Sequence, residues 1–148
     1  MRVAKYIFAM LLPLLFQSCN SSAPQKNDFI GTWKADDGAV IEIYNNGKCK
    51  ASRLNYYKLY PFEKYKNELL SFDGTWNFTN NEVPQLHLSY NEGKTYQYKG
   101  ETKEYKAGFD FEVSGQGAFG NKPPWGLYKI LGDPDDIDES NKYKFVKQ

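Results

Sequence analysis

Phe29-Ile30-Gly31-Thr32-Trp33-Lys34, Asp36-Asp37-Gly38, Ala39-Val40-Ile41-Glu42-Ile43-Tyr44, Asn45-Asn46-Gly47 and Lys48-Cys49-Lys50-Ala51-Ser52-Arg53 succeed one another almost without interruption. They read as three strands joined by two tight turns. Ile41 and Ile43 share a face because side chains alternate along a strand. Asn46-Gly47 between alternating apolar residues is a hairpin signal, since the tightest hairpin turns need positive φ. The chain therefore opens its folded part with an antiparallel meander.

Outward from the meander the β signal continues. Phe72-Asp73-Gly74-Thr75-Trp76 echoes Phe29-Ile30-Gly31-Thr32-Trp33 at four of five positions. Residues 85–90 alternate with Leu86, Leu88 and Tyr90 inward and His87 outward, and Asn91-Glu92-Gly93 reads as a turn. In 105–113 the odd positions are apolar and the even ones mostly charged, the cleanest strand of the chain. Residues 114–124 read as a Gly-rich loop, 125–131 as a strand, 132–140 as an acidic turn and 143–147 as the last strand. Eight or nine short antiparallel strands with regular turn signals predict a barrel or a sandwich. Residues 54–70 break the alternation around Pro61. They are expected to form a long aromatic connection with at most a short helix, for which 63–70 has room. Loops of that length are uncommon in compact domains and are often functional.

The other end of the chain carries a different signal. Met1-Arg2-Val3-Ala4-Lys5 is basic, 6–16 is a nearly unbroken apolar run, and Gln17-Ser18-Cys19 closes it. The run is too short for a spanning helix, which takes roughly 20 residues. This is the layout of a secretory signal. With Cys19 at its boundary it resembles a bacterial lipoprotein signal, with Ser18 and Cys19 matching the usual box and Phe16 and Gln17 departing from it. The resemblance implies a removed leader over 1–18, acylation of Cys19, and an envelope location. There the chain is held in the outer membrane by its acyl chains, with the domain on the periplasmic face. An ordinary cleaved signal ending at Ser21-Ser22-Ala23 is the alternative. In the lipoprotein reading residues 19–27 form a flexible tether, and 28–148 the folded domain.

Composition narrows the function classes. Aromatics make up 17% of the 148 residues, Tyr foremost with 12, which favours strands over helices. The leader holds Arg2 and Lys5 of the 19 basic residues and no acidic one. The remainder of the chain, with its 18 acidic residues, is close to neutral and has no basic field for nucleic acid. If Cys19 is lipidated, Cys49 stands alone, on the side of Ala51 and opposite the flanking lysines, and is expected to be a buried thiol.

Gly31-Thr32-Trp33 on the first strand of a secreted β domain resembles the lipocalin, or calycin, class. Asp36-Asp37-Gly38, Gly74-Thr75-Trp76 and Gly132-Asp133-Pro134-Asp135 before the last strand extend the likeness to small lipocalin-like bacterial lipoproteins. The resemblance implies an all-β, up-and-down antiparallel barrel of about eight strands. Gly31, Trp33, Gly74, Trp76, Asp133 and Asp135 would be its structural motif residues. The family's last-strand arginine over the first tryptophan is missing here, and Lys142, Lys144 and Lys147 are the candidates to replace it.

Chemistry is sparse. His87, the lone histidine, is read as an exposed strand residue, because a Ser-His-Asp device needs it buried and oriented. The acidic run from Asp133 to Glu139 has oxygen ligands at alternate positions, but it lacks the glycine and distal glutamate of a calcium loop and reads as a solvated turn. No phosphate loop, CxxC pair or HExxH is present. No catalytic residue, metal or cofactor is expected. Trp33 and Trp76 are read as core. Tyr56, Tyr57, Tyr60, Phe62 and Tyr65 are the candidate binding residues, either as a lid over the barrel mouth or as a Tyr-rich recognition surface. Two functions are expected: a non-catalytic module binding a small apolar or amphipathic ligand, or a protein-interaction module of immunity or hydrolase-inhibitor type using the Tyr-rich loop on an envelope protein.

Overall fold

The computed structural model describes residues 23–148 apart from 63–64, 99, 117–119, 133–134 and 136–137. The leader, Cys19 with the first part of its tether, and Asp133 lie outside the described residues. A 3-10 turn, Lys26–Phe29, precedes β1 (Gly31–Lys34), β2 (Val40–Ile43) and β3 (Lys48–Asn55), and a one-turn helix α1 (Tyr56–Leu59) comes after them. Then come β4 (Leu69–Asn80), β5 (Pro84–Tyr98), β6 (Glu101–Gln116), β7 (Lys122–Ile130) and β8 (Lys142–Lys147), the last preceded by a 3-10 turn, Glu139–Asn141. Each strand pairs with the next and β8 closes onto β1. The protein is a closed, eight-stranded, up-and-down antiparallel barrel with a short helix after its third strand.

The alternation read from the sequence sets the walls. Leu86 faces Phe111 and Leu88 faces Phe109 across β5 and β6, and all four are buried. On β3 a bulge between Ala51 and Leu54 turns both inward, although one number is odd and the other even. Arg53 takes the strain at φ 57, and its N–H finds Ser71 Oγ at 3.0 Å. Phe29, Trp33, Ile41, Ile43, Leu54, Phe111 and Phe145 all expose under 2% of their surface and occupy the barrel interior as a core.

Four local readings change. Phe29 ends a 3-10 turn rather than starting β1, yet its ring is core. Asn91-Glu92-Gly93 is a bulge inside one long strand: β5 keeps pairing with β6 beyond it, from Thr95 to Tyr98. Gly93 has φ +72, a conformation that serves a bulge as well as a turn. The Gly-rich stretch 114–124 is strand at both described ends, 114–116 in β6 and 122–124 in β7, with Gln116 paired to Lys122, while 117–119 lie outside the described residues. Gly115 is required there because a Cβ would stand 2.1 Å from the Lys122 carbonyl oxygen. A helix falls on Tyr56–Leu59, where Asn55 Oδ1 accepts the Lys58 N–H at 3.1 Å; of the expected 63–70, residues 63–64 lie outside the described residues and β4 has begun at Leu69.

Part of the expected tether is folded. Pro24 is buried, Gln25 N–H donates to Asp28 Oδ2 at 2.7 Å, and Ala23 and Pro24 line one cleft together with Asn80, Pro84 and Gly120. The chain enters at the end of the barrel that carries the β2–β3, β4–β5 and β6–β7 connections. The opposite end carries α1, the β1–β2 turn, the β5–β6 hairpin and the segment before β8.

The two Gly-Thr-Trp echoes are one device used twice. Trp33 Nε1 donates to the Phe29 carbonyl at 2.8 Å, and Lys147 Nζ lies 5.8 Å from the ring centroid. Lys147 thus takes the place over the first tryptophan. Trp76 Nε1 donates to the Tyr44 carbonyl at 2.7 Å, with Lys26 Nζ 5.1 Å from its ring. Each buried indole has its N–H satisfied and a cation on its face. The glycines make room: a Cβ on Gly31 would meet Lys147 Cε at 3.0 Å, and one on Gly74 would meet the Ser89 carbonyl oxygen at 2.2 Å.

Gly74→Ala is therefore expected to lower stability by about 2–3 kcal/mol, as overpacking against backbone does. Gly38→Ala, with φ +84 but open space around it, is expected to cost about 1 kcal/mol. Urea unfolding of the two variants checks this, and equal losses would refute the steric account of Gly74.

Candidate functional site

The aromatic connection folds over one end of the barrel. Asn55 caps α1, and Leu59 is the residue of the helix that goes fully inward. Two ties hold the helix to neighbouring elements. Lys58 Nζ reaches Asp37 Oδ2 at 3.0 Å and lies 4.5 Å from the Tyr143 ring centroid. Tyr143 OH donates to Asp37 Oδ1 at 3.3 Å and accepts the Asn55 N–H at 3.2 Å. The β1–β2 turn, α1 and β8 are joined through this one phenol.

Of the five candidate residues the structure brings four together. Tyr56 stacks on Tyr65 with centroids 4.0 Å apart. Tyr60 packs on Phe62 at 6.5 Å and on Phe109 of the core at 5.3 Å, and its hydroxyl donates to the Gly108 carbonyl at 3.3 Å. Phe62 meets Tyr65 edge-on at 6.3 Å, yet its ring remains 59% exposed.

Two open clefts flank the Tyr56–Tyr65 stack. One, of about 430 Å³, is walled by Tyr56, Tyr60, Phe62 and Tyr65 on one side and by Glu92, Lys106, Ala107 and Gly108 on the other. The second, of about 500 Å³, lies on the other side of the same stack, toward Phe72, Asp73, Tyr90 and Asn91. Tyr57 stands apart, exposed on α1, and lines neither cleft. Asp135 is exposed, while Asp138 Oδ1 accepts the Ser140 N–H at 3.2 Å and begins the 3-10 turn. The far walls of the clefts were not legible from sequence. Glu92 belonged to an apparent turn, and Lys106 and Gly108 are ordinary members of an alternating strand. Register brings them here: Lys106 pairs with Asn91 and Gly108 with Ser89, next to the bulge in β5.

Loss of solvent, then hydrogen bonding with Tyr90 and Tyr65, holds Tyr56 above the usual phenol value. Burial, then Asp37, does the same for Tyr143. On the barrel wall Tyr128 is pushed up to about 12, by burial first and then by its 2.8 Å bond to Glu112 Oε2. Burial first, then Asp73, pushes the Cys49 thiol up to about 11, so it is inert as a nucleophile. His87 faces outward with Asp110 as its cross-strand neighbour.

No protein-family model, no curated protein and no solved structure matches this chain. Fold and site together define a class: a closed up-and-down β-barrel, filled by side chains, with an aromatic cleft built on one end.

The raised phenols give a pH dependence with a definite sign. A group whose folded pKa lies above its unfolded value contributes fully below the unfolded value and loses that contribution as pH rises through the folded one. The barrel is therefore expected to keep its stability up to about pH 10 and to lose it progressively toward pH 12. Tyr128→Phe should flatten the decline. Urea midpoints measured across that range check it, and a flat profile for the wild type would refute it.

Proposed function

We propose that the protein is a lipid-anchored binding module of the cell envelope, akin to small lipocalin-like bacterial lipoproteins, holding a small amphipathic molecule in the cleft of its aromatic cap. The observation that carries this reading is the cleft itself. Four rings from one short segment form its apolar side, and Glu92 and Lys106 form its polar rim. That pairing suits a ligand with an apolar body and a polar edge. The barrel interior is occupied by core side chains, so the binding place moves from the lumen, where a hollow barrel would hold it, to the end of the barrel.

Anchoring through Cys19 agrees with this arrangement. Chain entry lies at the end opposite the cap, and from the buried Pro24 the five residues back to Cys19 span at most about 18 Å. An acylated Cys19 would hold the entry end near the bilayer and present the cap away from it. A protein partner is the second reading, favoured by the exposed rings of Phe62 and Tyr57 and by Leu69, 56% exposed.

Native mass spectrometry of the full-length protein, extracted from its own envelope in mild detergent, tests both readings. Acyl mass on Cys19 and a small co-purifying mass lost on activation are the expected results. Tyr60→Ala with Phe62→Ala should weaken retention about tenfold, about 1.4 kcal/mol. A bare mass together with a polypeptide partner lost in the same double variant would replace the ligand reading with the second one. If the double variant changed nothing, the cap would be no binding site at all.

A further inference from the structure

On the outer wall of the barrel, beside the cleft, the strands bring together three side chains that the chain separates. Ser89 and His87 are two apart on β5 and so face the same way. Asp110 and Gly108 are their register partners on β6, Asp110 opposite His87 and Gly108 opposite Ser89. Asp110 Oδ1 stands 2.7 Å from His87 Nδ1, and Ser89 Oγ stands 2.8 Å from His87 Nε2. An ionised carboxylate only accepts. Nδ1 therefore carries the proton, and in the neutral ring Nε2 presents its lone pair to the serine hydroxyl.

The ring is held there by an absence. A Cβ on residue 108 would stand 2.7 Å from the Leu88 carbonyl oxygen, 2.8 Å from His87 Cε1 and 2.9 Å from Nε2, so a side chain there would crowd both the backbone of β5 and the imidazole. Gly108 also belongs to the cleft wall, and its carbonyl accepts the Tyr60 hydroxyl. Lys106 is the next residue on the same face of β6, pairs with Asn91 beside Ser89, and lies in the cleft wall too. Gly108, in the cleft wall, is thus the register partner of Ser89.

We propose that Ser89, His87 and Asp110 are a hydrolytic relay acting on small acyl esters whose apolar part rests in the aromatic cleft. Ser89 Oγ attacks the ester carbonyl carbon while its proton passes to His87 Nε2. The carbonyl π pair moves onto oxygen. The tetrahedral adduct collapses, the C–O bond to the alcohol breaks, and the alcohol leaves with the proton from Nε2. Water then attacks the acyl-serine by the same route, giving the carboxylic acid and restoring Ser89. Asp110 is a positioning residue: it fixes the tautomer and offsets the charge of the imidazolium. The relay stands on its own hydrogen bonds, and only the seat of the apolar part rests on the cleft reading.

The test uses the full-length protein in detergent with two probes, a fluorophosphonate and p-nitrophenyl butyrate. The fluorophosphonate is expected to mark Ser89 in peptide mapping of the wild type and not of His87→Asn. Hydrolysis of the butyrate ester is expected to fall about 100-fold in Ser89→Ala and in His87→Asn, the low end of what a positioned base contributes. Asp110→Asn should lower kcat with little change in KM. All three are surface positions on strand faces, and cooperative unfolding at the wild-type midpoint establishes that each variant is folded. Absence of label on Ser89, or wild-type turnover in Ser89→Ala, overturns the relay. Phe62→Ala is expected to raise KM and keep kcat. An unchanged KM with Ser89 still labelled would remove the cleft from the proposal and leave the relay in place.

Discussion

Closure of the barrel at Trp33 is the constraint on which the rest depends. β1 is four residues long and meets β8 through two register pairs, Trp33 with Lys147 and Lys34 with Val146, extended by the Gln148 N–H on the Thr32 carbonyl at 3.0 Å. So short a seam is weak as a ladder. It is reinforced by the side chain at its centre. The Trp33 indole is fully buried, bonded to the Phe29 carbonyl and stacked on the Phe29 ring at 6.1 Å. Lys147 crosses its face and donates to the Asp28 carbonyl at 2.6 Å. One aromatic thereby ties the entry segment, the first strand and the last strand into a single contact. Without closure, β1 and β8 would both present unpaired edges.

The same economy explains why the functional features lie where they do. A barrel this small, lined with Phe, Trp, Ile and Leu, fills itself, since eight strands leave an interior just wide enough for side chains. Binding chemistry then has two places left, the ends and the outer wall. The entry end is taken up by the tryptophan devices and by Pro24. The opposite end receives the aromatic segment, whose inner side, Leu59 and Tyr56, joins the core while its outer side, Phe62 and Tyr60, stays accessible. A cap of this kind is half structure and half surface. Its rings are ordered by packing from below, which lowers the entropy lost when something binds from above.

Much of this was legible in the sequence, for a physical reason. Period-two alternation in 85–90 and 105–113 and the Asn46-Gly47 turn are local signals that decide strand and hairpin by themselves. The Gly-x-Trp echo was legible as a device because a glycine two residues before a tryptophan has no strand-forming value of its own. What failed were positions where one local chemistry serves two structures. Asn91-Glu92-Gly93 has the composition of a turn, and a bulge asks for the same glycine at positive φ. Within 114–124 the described ends, 114–116 and 122–124, are strand, and Gly115 is glycine because a Cβ there would meet the Lys122 carbonyl oxygen. The candidate site divides the same way. Its rings were visible because they are contiguous in the chain, whereas Glu92, Lys106 and Gly108 arrive through register, which no local pattern encodes.

His87 shows the limit most clearly. Alternation places it outside the barrel, and outside it is; that an outward histidine is an idle one does not follow. On a sheet, orientation comes from the cross-strand neighbour as much as from burial. Here the neighbour pairs a carboxylate with one ring nitrogen, while the residue two further along gives a hydroxyl to the other. Against the ring stands a glycine of the next strand, where a side chain would crowd it. Three polar residues at an accessible surface cost the core nothing, because none of them displaces a packed apolar group. A filled barrel is thus free to carry binding on its end and a hydrogen-bonded relay on its wall, with Gly108 common to both.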